Sequence, residues 1–277
     1  MNPPLLLETL ARQALAGDRE ALDTLVRALQ DDIYRLALRM LWNREDAEDA
    51  TQEILVRIVT RLSQFEFRSQ LKTWAYRLSV NYILDLKKSA IERLDLTFQQ
   101  FADNLIEGIE PASADETERS VLIDEVKVGC SLAMLQCLDR SHRIAFVLGD
   151  ILELSGLEAA EILEIEPALF RKRLQLARES VHHFVRSHCG LVSDDAACRC
   201  HRRVSAAAAA ASEGTQPLNF ASRATSFQEA RALVRQVEDA RSTLALYRTS
   251  EPRASSVDFA QRLVASLNRL PTRSSER

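Results

Sequence analysis

The stretch DAEDATQEILVRIV, from Asp46 to Val59, decides how the first part of this chain folds. Its apolar residues recur every three or four positions, which predicts an amphipathic helix with one face in a core. Asp46, Asp49 and Glu53 stand at i, i+3 and i+7, so their carboxylates form one stripe on the outer side of that helix. The positions that we expect in the core are Ala47, Ala50, Ile54, Ile58 and Leu62.

A second stretch, FEFRSQLKTWAYRLSVNYILDLKK at Phe65–Lys88, has the opposite character. From Arg61 to Arg93, seven Lys and Arg residues stand against three Asp and Glu residues, and aromatic residues alternate with the basic ones. A basic helix attracts a phosphate backbone, and its rings offer surfaces on which unpaired bases stack. We therefore expect one helical domain that binds a basic protein on one side and nucleic acid on the other, with a short polar loop at Phe65–Leu71.

The composition favours an all-α protein. Of 277 residues only 7 are Gly and 7 are Pro, and no alternating run with hairpin turns stands out. The net charge is −4, so any nucleic-acid binding must come from local basic patches. No apolar stretch approaches the ~20 residues of a membrane-spanning helix, and no signal segment opens the chain. With five cysteines, an odd number, these features predict a cytoplasmic protein without membrane contact.

Charge and periodicity predict four parts: a helical domain at residues 1–90, an acidic linker at 91–117, a second helical domain at 118–188 and a helical extension at 189–277. From Leu94 to Val126, nine Asp and Glu residues stand against one basic residue, which favours a solvated segment. In the first domain we expect helices at Leu5–Leu15, from Asp18 through Leu29 and at Asp31–Leu41. In the extension we expect an alanine run at Ala206–Ala211, a flexible segment at Ser212–Pro217, and helices at Phe227–Tyr247 and Val257–Leu270.

The segment LSGLEAAEILEIEPALFRKRLQLARESV, from Leu154 to Val181, has the layout of a helix-turn-helix. A short helix at Leu157–Leu163 meets a turn at 164–166, and Pro167 takes the first position of the next helix, where its missing N–H costs nothing. That second helix has an apolar inward stripe and a basic outward face, as a helix entering a major groove requires. The inward residues are Phe170, Leu174, Ala177 and Val181, and the outward residues are Arg171, Lys172, Gln175 and Arg178.

These two blocks, in this order and joined by an acidic linker, resemble an RNA polymerase sigma factor of the extracytoplasmic-function type over about residues 18–188. DAEDATQEI at Asp46–Ile54 is similar to the family's polymerase-binding signature, and LKTWAYRLSVNYILDLKK at Leu71–Lys88 to its promoter-melting segment. The resemblance implies a factor without catalysis that brings core RNA polymerase to promoter DNA. It also implies that the extension regulates the factor and that an inhibitor protein is a candidate partner.

The resemblance further implies roles for single side chains. The loop at Phe65–Lys72 would capture an unstacked base of the separated strand, the linker would follow the RNA path, and the second helix of the helix-turn-helix would bind the minus-thirty-five element. The implied polymerase-binding residues are Asp46, Asp49, Gln52 and Glu53; the DNA-binding residues of the melting domain are Phe65, Arg68, Ser69, Lys72, Trp74, Tyr76, Arg77, Asn81, Lys87 and Lys88; and those of the helix-turn-helix are Arg171, Lys172, Arg173, Gln175 and Arg178.

The helix-turn-helix departs from the family pattern at four positions. Glu164 stands where the family has a turn glycine, and Glu166 where it favours a serine cap. Leu169 and Leu176 replace a hydroxyl donor and a basic residue. We therefore expect duplex recognition by this domain to be weak or altered. Glu158, where the family has an acidic residue, is expected to brace the helix-turn-helix.

Cysteines and histidines concentrate between residues 182 and 201. Thiolates and imidazoles are the usual zinc ligands, so His188, Cys189, Cys198 and Cys200 are a candidate metal site, although the Cys-x8-Cys-x-Cys spacing lacks the Cys-x2-Cys pairs of typical zinc sites. A hydrophobic corner and a redox-sensitive group of thiols are the alternatives. Cys130 and Cys137 have apolar neighbours and are expected in the core.

Two other classes of protein remain open from the sequence. One is a helix-turn-helix regulator that binds duplex DNA without polymerase, which leaves the acidic stripe unexplained. The other is a metal- or redox-responsive DNA-binding regulator that does not load polymerase. We expect no enzyme, because the chain has no glycine-rich phosphate loop, no nucleophile elbow and no His-Glu-x-x-His motif, and we expect no required cofactor beyond the candidate zinc.

Overall fold

The computed structural model describes residues 3–88, 92–107, 109, 120–207, 231, 243–247 and 250–267. These ranges are helical and contain no β-strand, only an isolated β-bridge between Cys189 and Cys198, which confirms the all-α expectation. The helices are α1 (Pro3–Leu15), α2 (Arg19–Leu41), α3 (Arg44–Thr60), α4 (Leu71–Asp85), α5 (Phe98–Glu107), α6 (Ser120–Gln136), α7 (Arg140–Phe146), α8 (Gly156–Leu163), α9 (Pro167–His188) and α10 (Phe259–Leu267).

The chain forms two compact units. The first unit contains residues 1–87, 161–164 and 254–277, and the second contains residues 88–160 and 165–253. The end of the extension thus belongs to the same unit as α1 to α4, and α10 packs on α2 and α3. The expected boundaries after residues 90, 117 and 188 stay predictions.

In the first unit, α1 ends at a turn in which Gly17 has a φ of 96°, a conformation that favours glycine. Asp18 then caps α2, because its side chain accepts hydrogen bonds from the backbone N–H groups of Glu20 and Ala21 at 2.9 and 3.1 Å. Helix α2 continues without a break to Leu41. The predicted break near residue 30 is wrong, since no Gly or Pro interrupts the helical periodicity there.

Helix α3 has the predicted orientation. Asn43 caps its first turn by accepting a hydrogen bond from the N–H of Asp46 at 2.9 Å. The five positions expected in the core are all buried, at 4% exposure or less. The buried face fixes the rotation of α3, so the carboxylate stripe must face away from the core. The five residues are Ala47, Ala50, Ile54, Ile58 and Leu62.

The second unit begins at residue 88 and takes in α5, which lies inside the expected linker. Helix α5 buries Phe101, Ala102 and Leu105, and the ring of Phe101 stacks on that of Phe184 in α9, with centroids 5.3 Å apart. The expectation of a solvated segment is therefore wrong for α5, because its apolar residues recur at helical spacing among the acidic ones. Residues 110–119 of the same segment lie outside the described part of the chain.

The helix-turn-helix has the predicted elements. Glu164 lies in the turn with a φ of 53°, and Pro167 opens α9. Ser155 and Glu158 form a capping box: the N–H of Ser155 donates to the Glu158 carboxylate at 3.0 Å, and the N–H of Glu158 donates to the Ser155 hydroxyl at 3.2 Å. This confirms the bracing role expected of Glu158. The inward stripe of Phe170, Leu174, Ala177 and Val181 is buried, as predicted.

The extension is described only in part. Ser212–Pro217 lies outside the described residues, as do positions 208–211 of the alanine run and most of the helix expected at Phe227–Tyr247. Residues 243–247 are helical, and α10 confirms the expected final helix for the positions that the structure describes.

Candidate functional site

The carboxylate stripe on α3 faces solvent. The side chains of Asp46, Asp49 and Glu53 are exposed, and Glu53 pairs with Arg57 one helical turn later at 3.1 Å. Gln52 is half-buried, and its carbonyl oxygen finds no hydrogen-bond donor in the structure. The stripe thus offers negative charge to a partner, an arrangement suited to basic side chains.

The loop at residues 65–70 connects the stripe to α4 and is held by aromatic contacts. Phe65 is only 4% exposed, and its ring centroid lies 4.6 Å from that of Phe67 and 5.4 Å from that of Trp74. The expected contact of Phe65 with DNA does not fit this burial. We correct its role: Phe65 anchors the loop from the core, and a base could reach only the half-buried rings of Phe67 and Trp74.

The tip of the loop has an unusual backbone. Phe67 has a φ of 57°, which is rare for a bulky residue, and the guanidinium of Arg12 lies 3.8 Å from the centroid of its ring. Arg68 beside it is 85% exposed and pairs with Glu66 at 3.0 Å, while Ser69 is half-buried. The loop therefore presents a cation next to aromatic rings, which suits an unpaired nucleotide.

Two residues of earlier helices fix where α4 begins. The carboxylate of Glu8 accepts a hydrogen bond from the N–H of Leu71 at 2.7 Å, and Gln70 supplies no side-chain cap. Lys72 pairs with Asp32 at 2.6 Å. Neither Glu8 nor Asp32 could be found from local sequence patterns, because each lies far along the chain from its partner in α4.

The residues of α4 differ in how far they reach solvent. Tyr76 is 3% exposed and burial raises the pKa of its hydroxyl, so it supports the domain from the core and does not face DNA. Trp74 and Arg77 are half-buried, whereas Asn81 and Lys87 are exposed. Lys88 is exposed as well and pairs with Asp95 at 3.2 Å.

The outward face of α9 carries fewer free cations than the sequence indicates. Arg171, Lys172 and Gln175 are exposed, and Arg173 is half-buried. Arg178 is engaged by Asp150, whose carboxylate lies 2.5 Å from the guanidinium. Leu169 and Leu176, 41% and 44% exposed, lie on the accessible surface of the same helix, where they offer no hydrogen bond to a base or phosphate.

Four thiols meet in the second unit. Cys130 of α6 lines a small cavity together with Cys189, Cys198 and Cys200, so its expected role as a plain core residue is incomplete. Burial and the neighbouring thiol groups raise the pKa of Cys198 to about 12, so these cysteines are protonated at neutral pH. His188 also lines the cavity, and its Nδ1 lies 3.1 Å from the carbonyl oxygen of Phe184. Among the described residues, no group of three or more His, Cys, Asp or Glu side chains is arranged to bind a metal ion.

None of the described helices is long and apolar enough to cross a bilayer. The first unit carries a carboxylate stripe beside a basic loop anchored by aromatic rings, and the second carries a helix-turn-helix. This combination defines a helical protein with separate surfaces for a protein and for nucleic acid.

Comparison with known proteins finds relatives that resemble this chain. The family model for sigma-70 region 2 matches residues 25–91. The chain is 29% identical over 194 residues to the ECF RNA polymerase sigma factor SigW of Bacillus subtilis, covering 66% of this chain and 98% of SigW. It is 28% identical over 177 residues to the ECF sigma factor SigE of Mycolicibacterium smegmatis, covering 62% and 65%. It is also 26% identical over 184 residues to the sigma-H factor of Pseudomonas aeruginosa, covering 63% and 91%.

Over the part that these relatives cover, the chain is therefore similar to RNA polymerase sigma factors of the extracytoplasmic-function type. SigW matches over nearly its whole length but covers only 66% of this chain, so this protein carries sequence that SigW lacks. The Cys-containing segment and α10 lie beyond the sigma-like part recognised in the sequence.

Proposed function

We propose that this protein directs core RNA polymerase to promoters and initiates DNA-templated transcription, working in the cytoplasm as a binding factor without catalysis of its own. The observation that carries the proposal is the exposed carboxylate stripe on α3 in the same compact unit as the loop at residues 65–70. Since one rigid helical core holds both surfaces, binding of polymerase through the stripe fixes where the loop meets DNA.

Polymerase binding is assigned to Asp46, Asp49, Gln52 and Glu53. The three carboxylates are exposed, so basic side chains of a partner can reach them directly. Gln52 is half-buried beside them, and its carbonyl oxygen accepts a hydrogen bond from the partner only if the side chain turns outward.

Promoter opening is assigned to the loop and to α4. Unstacking a base costs a few kcal/mol, and stacking on an aromatic ring returns ~1–3 kcal/mol per base. Here Trp74 and Phe67 supply the rings, and Arg68 supplies an exposed cation. Because the packing of Phe65 and the Glu8 cap hold the loop in place, little ordering cost remains to be met on binding.

A charge reversal tests the assignment. Replacing both Asp49 and Glu53 with Lys should weaken the binding of core polymerase by more than about tenfold, because attraction to a basic surface becomes repulsion. The matched control is Asp85→Lys, an exposed position at the end of α4 where a cation suits the helix dipole. Equal polymerase affinity for the double variant and the control would contradict the proposal. Retained binding to duplex DNA with no polymerase binding in the wild type would favour the plain helix-turn-helix regulator.

We also propose that the extension regulates this activity through its contact with α2 and α3. Arg27 of α2 pairs with Asp258 at 3.1 Å, and the hydroxyl of Ser255 donates to Glu48 of α3 at 2.7 Å. Phe259 is 1% exposed, and its ring centroid lies 6.2 Å from that of Tyr34. These contacts lie on the side of α3 away from the carboxylate stripe, so the extension acts by holding the helix pair rather than by covering the stripe.

The contact can be weakened without removing the extension. In the full chain, Phe259→Ala should loosen the docking of α10, since such a change costs about 3–5 kcal/mol in a packed core. Polymerase affinity and run-off transcription should then change together, whereas Val264→Ala, at an exposed position of the same helix, should leave both as they are. Unchanged polymerase affinity and transcription in the Phe259 variant would remove the regulatory role.

A further inference from the structure

We propose that Cys130, Cys189, Cys198 and Cys200 form a thiolate site for a soft metal cation, with Cys130 as the fourth ligand in place of His188. Soft thiolate ligands select Zn²⁺ or Cu⁺ over hard cations such as Mg²⁺. The four residues come from α6, from the end of α9 and from the segment after it, so the site forms only in the folded second unit.

The backbone brings three of the cysteines together. Cys189 and Cys198 are bridge partners, and the N–H of Gly190 donates to the carbonyl oxygen of Cys198 at 3.1 Å. A side chain at Gly190 would collide with that oxygen and with the Arg199 guanidinium, so this close approach requires glycine. Cys200 follows two residues after Cys198 and is buried.

The turn after α9 closes around the backbone of Cys189. The N–H groups of Val192 and Ser193 donate to the carbonyl oxygen of Cys189 at 3.1 and 2.9 Å. The guanidinium of Arg199 adds hydrogen bonds to the carbonyl oxygens of Ala196 and Cys198, which ties the segment between the cysteines into a closed loop.

Cys130 completes the set across a tertiary contact. The turn at Cys200–Arg203 packs on α6, and all four cysteines line one cavity of about 30 Å³. A single ion bound there by four thiolates would lie about 2.3 Å from each sulfur atom. His188 lies at the rim with its Nδ1 turned to the carbonyl oxygen of Phe184 and its ring stacked on Phe184, so it supports the wall.

The sulfur atoms are not yet gathered at ligand distances. Each thiol turns about a single bond, so rotation of the side chains can bring them to a common centre without moving the helices. On binding, each cysteine gives its proton to solvent and forms a sulfur–metal bond, and no electron is transferred. The site is independent of polymerase and DNA, so it can be tested on the protein alone.

The test uses the full reduced chain under anaerobic conditions, with Zn²⁺ and Cu⁺ titrated separately against chromophoric chelators of each ion. We expect about one ion of either metal per chain, bound through the four thiolates. Cys130→Ser should weaken the affinity by more than about tenfold, since even indirect perturbation of a metal site costs 10–100-fold. Cys137→Ser, at the residue that follows α6 and outside the cavity, should bind as the wild type does.

A second readout does not depend on variants. Bound metal should protect Cys130 from alkylation in the wild type while leaving the rate at Cys137 unchanged. Equal metal affinity of the Cys130 and Cys137 variants would overturn the proposal. So would a loss of binding on His188→Ala with none on Cys130→Ser, or a Cys189–Cys198 disulfide that forms in a chain with no metal affinity.

Discussion

The guanidinium of Arg178 lies 2.5 Å from the carboxylate of Asp150, a residue that the helical turn after α7 places beside α9. Three hydrogen bonds join the two groups, and the pairing raises the pKa of Arg178. An arginine predicted to contact duplex DNA is therefore already neutralised by its own protein. Together with the exposed leucines of α9, this pairing gives a structural reason for weak duplex recognition.

Releasing Arg178 should strengthen DNA binding. Asp150→Asn removes the negative charge, so we expect tighter binding to duplex promoter DNA and a salt dependence steeper by about 0.9 in logarithmic slope, the value for one added phosphate contact. Affinity measured over a range of salt concentrations checks this. Adding Arg178→Ala to Asp150→Asn should cancel the gain. A gain that persists in the double variant would show that Arg178 is not its source.

The turn of the helix-turn-helix is strained at Glu164, whose φ is 53°. A non-glycine residue in this left-handed conformation is destabilised by roughly 1–2 kcal/mol, and glycine avoids that strain. Glycine also makes the unfolded chain more flexible, which offsets part of the stabilisation. We expect Glu164→Gly to raise the free energy of unfolding by about 0.5–1 kcal/mol. Chemical denaturation measures it. Glu179→Gly, in the middle of α9, should instead lower stability by about 1 kcal/mol, and equal losses at both sites would refute the strain.

The Glu8 carboxylate takes the place of a missing cap at α4. Glu8→Ala should lower the free energy of unfolding by about 1–2 kcal/mol, because a capping hydrogen bond is lost. It should also impair promoter opening on linear DNA more than polymerase binding, since the loop at residues 65–70 loses its support. Glu8→Gln keeps an acceptor and should retain most of both properties. If it behaves like Ala, charge rather than the hydrogen bond is the cause.

Asp139 caps α7 and makes the second unit sensitive to acid. Partial burial alone would raise the pKa of its carboxyl, but hydrogen bonds from the His142 N–H, the His142 ring and Ser141 lower it to about 2. Because the folded pKa lies below the ordinary value of 3.8, the ionised cap stabilises the fold above pH ~4, and the effect is lost as the pH falls to ~2.

Since the side chain of Asp139 is 62% exposed, solvent screening should limit this contribution to less than about 1 kcal/mol. Asp139→Asn keeps the cap and removes the charge, so its stability deficit at pH 7 should vanish near pH 2. Denaturant unfolding at a series of pH values measures the deficit, and Asp139→Ala provides the control in which the cap is lost as well. A deficit of the Asn variant that does not change with pH would refute the linkage.

Local patterns predicted much of the fold. The apolar spacing of α3 fixed both its buried face and its exposed stripe, and Pro167 marked the start of α9 at the correct residue. The acidic composition around α5 led to the wrong prediction of a solvated segment. A net charge counted over a long window does not reveal apolar residues that recur every three or four positions. Phe65 was misplaced for a related reason: in a loop, no periodicity indicates which ring turns inward.

The sequence by itself determined most of the helices, the carboxylate stripe, the basic and aromatic segment and the helix-turn-helix, because each follows from spacings within a few turns of one helix. Only the tertiary structure decided that Cys130 joins the later cysteines, that Glu8 caps α4, that Asp150 engages Arg178 and that α10 docks on α2 and α3. In each of these cases the partners lie far apart along the chain, and their meeting depends on how whole helices pack.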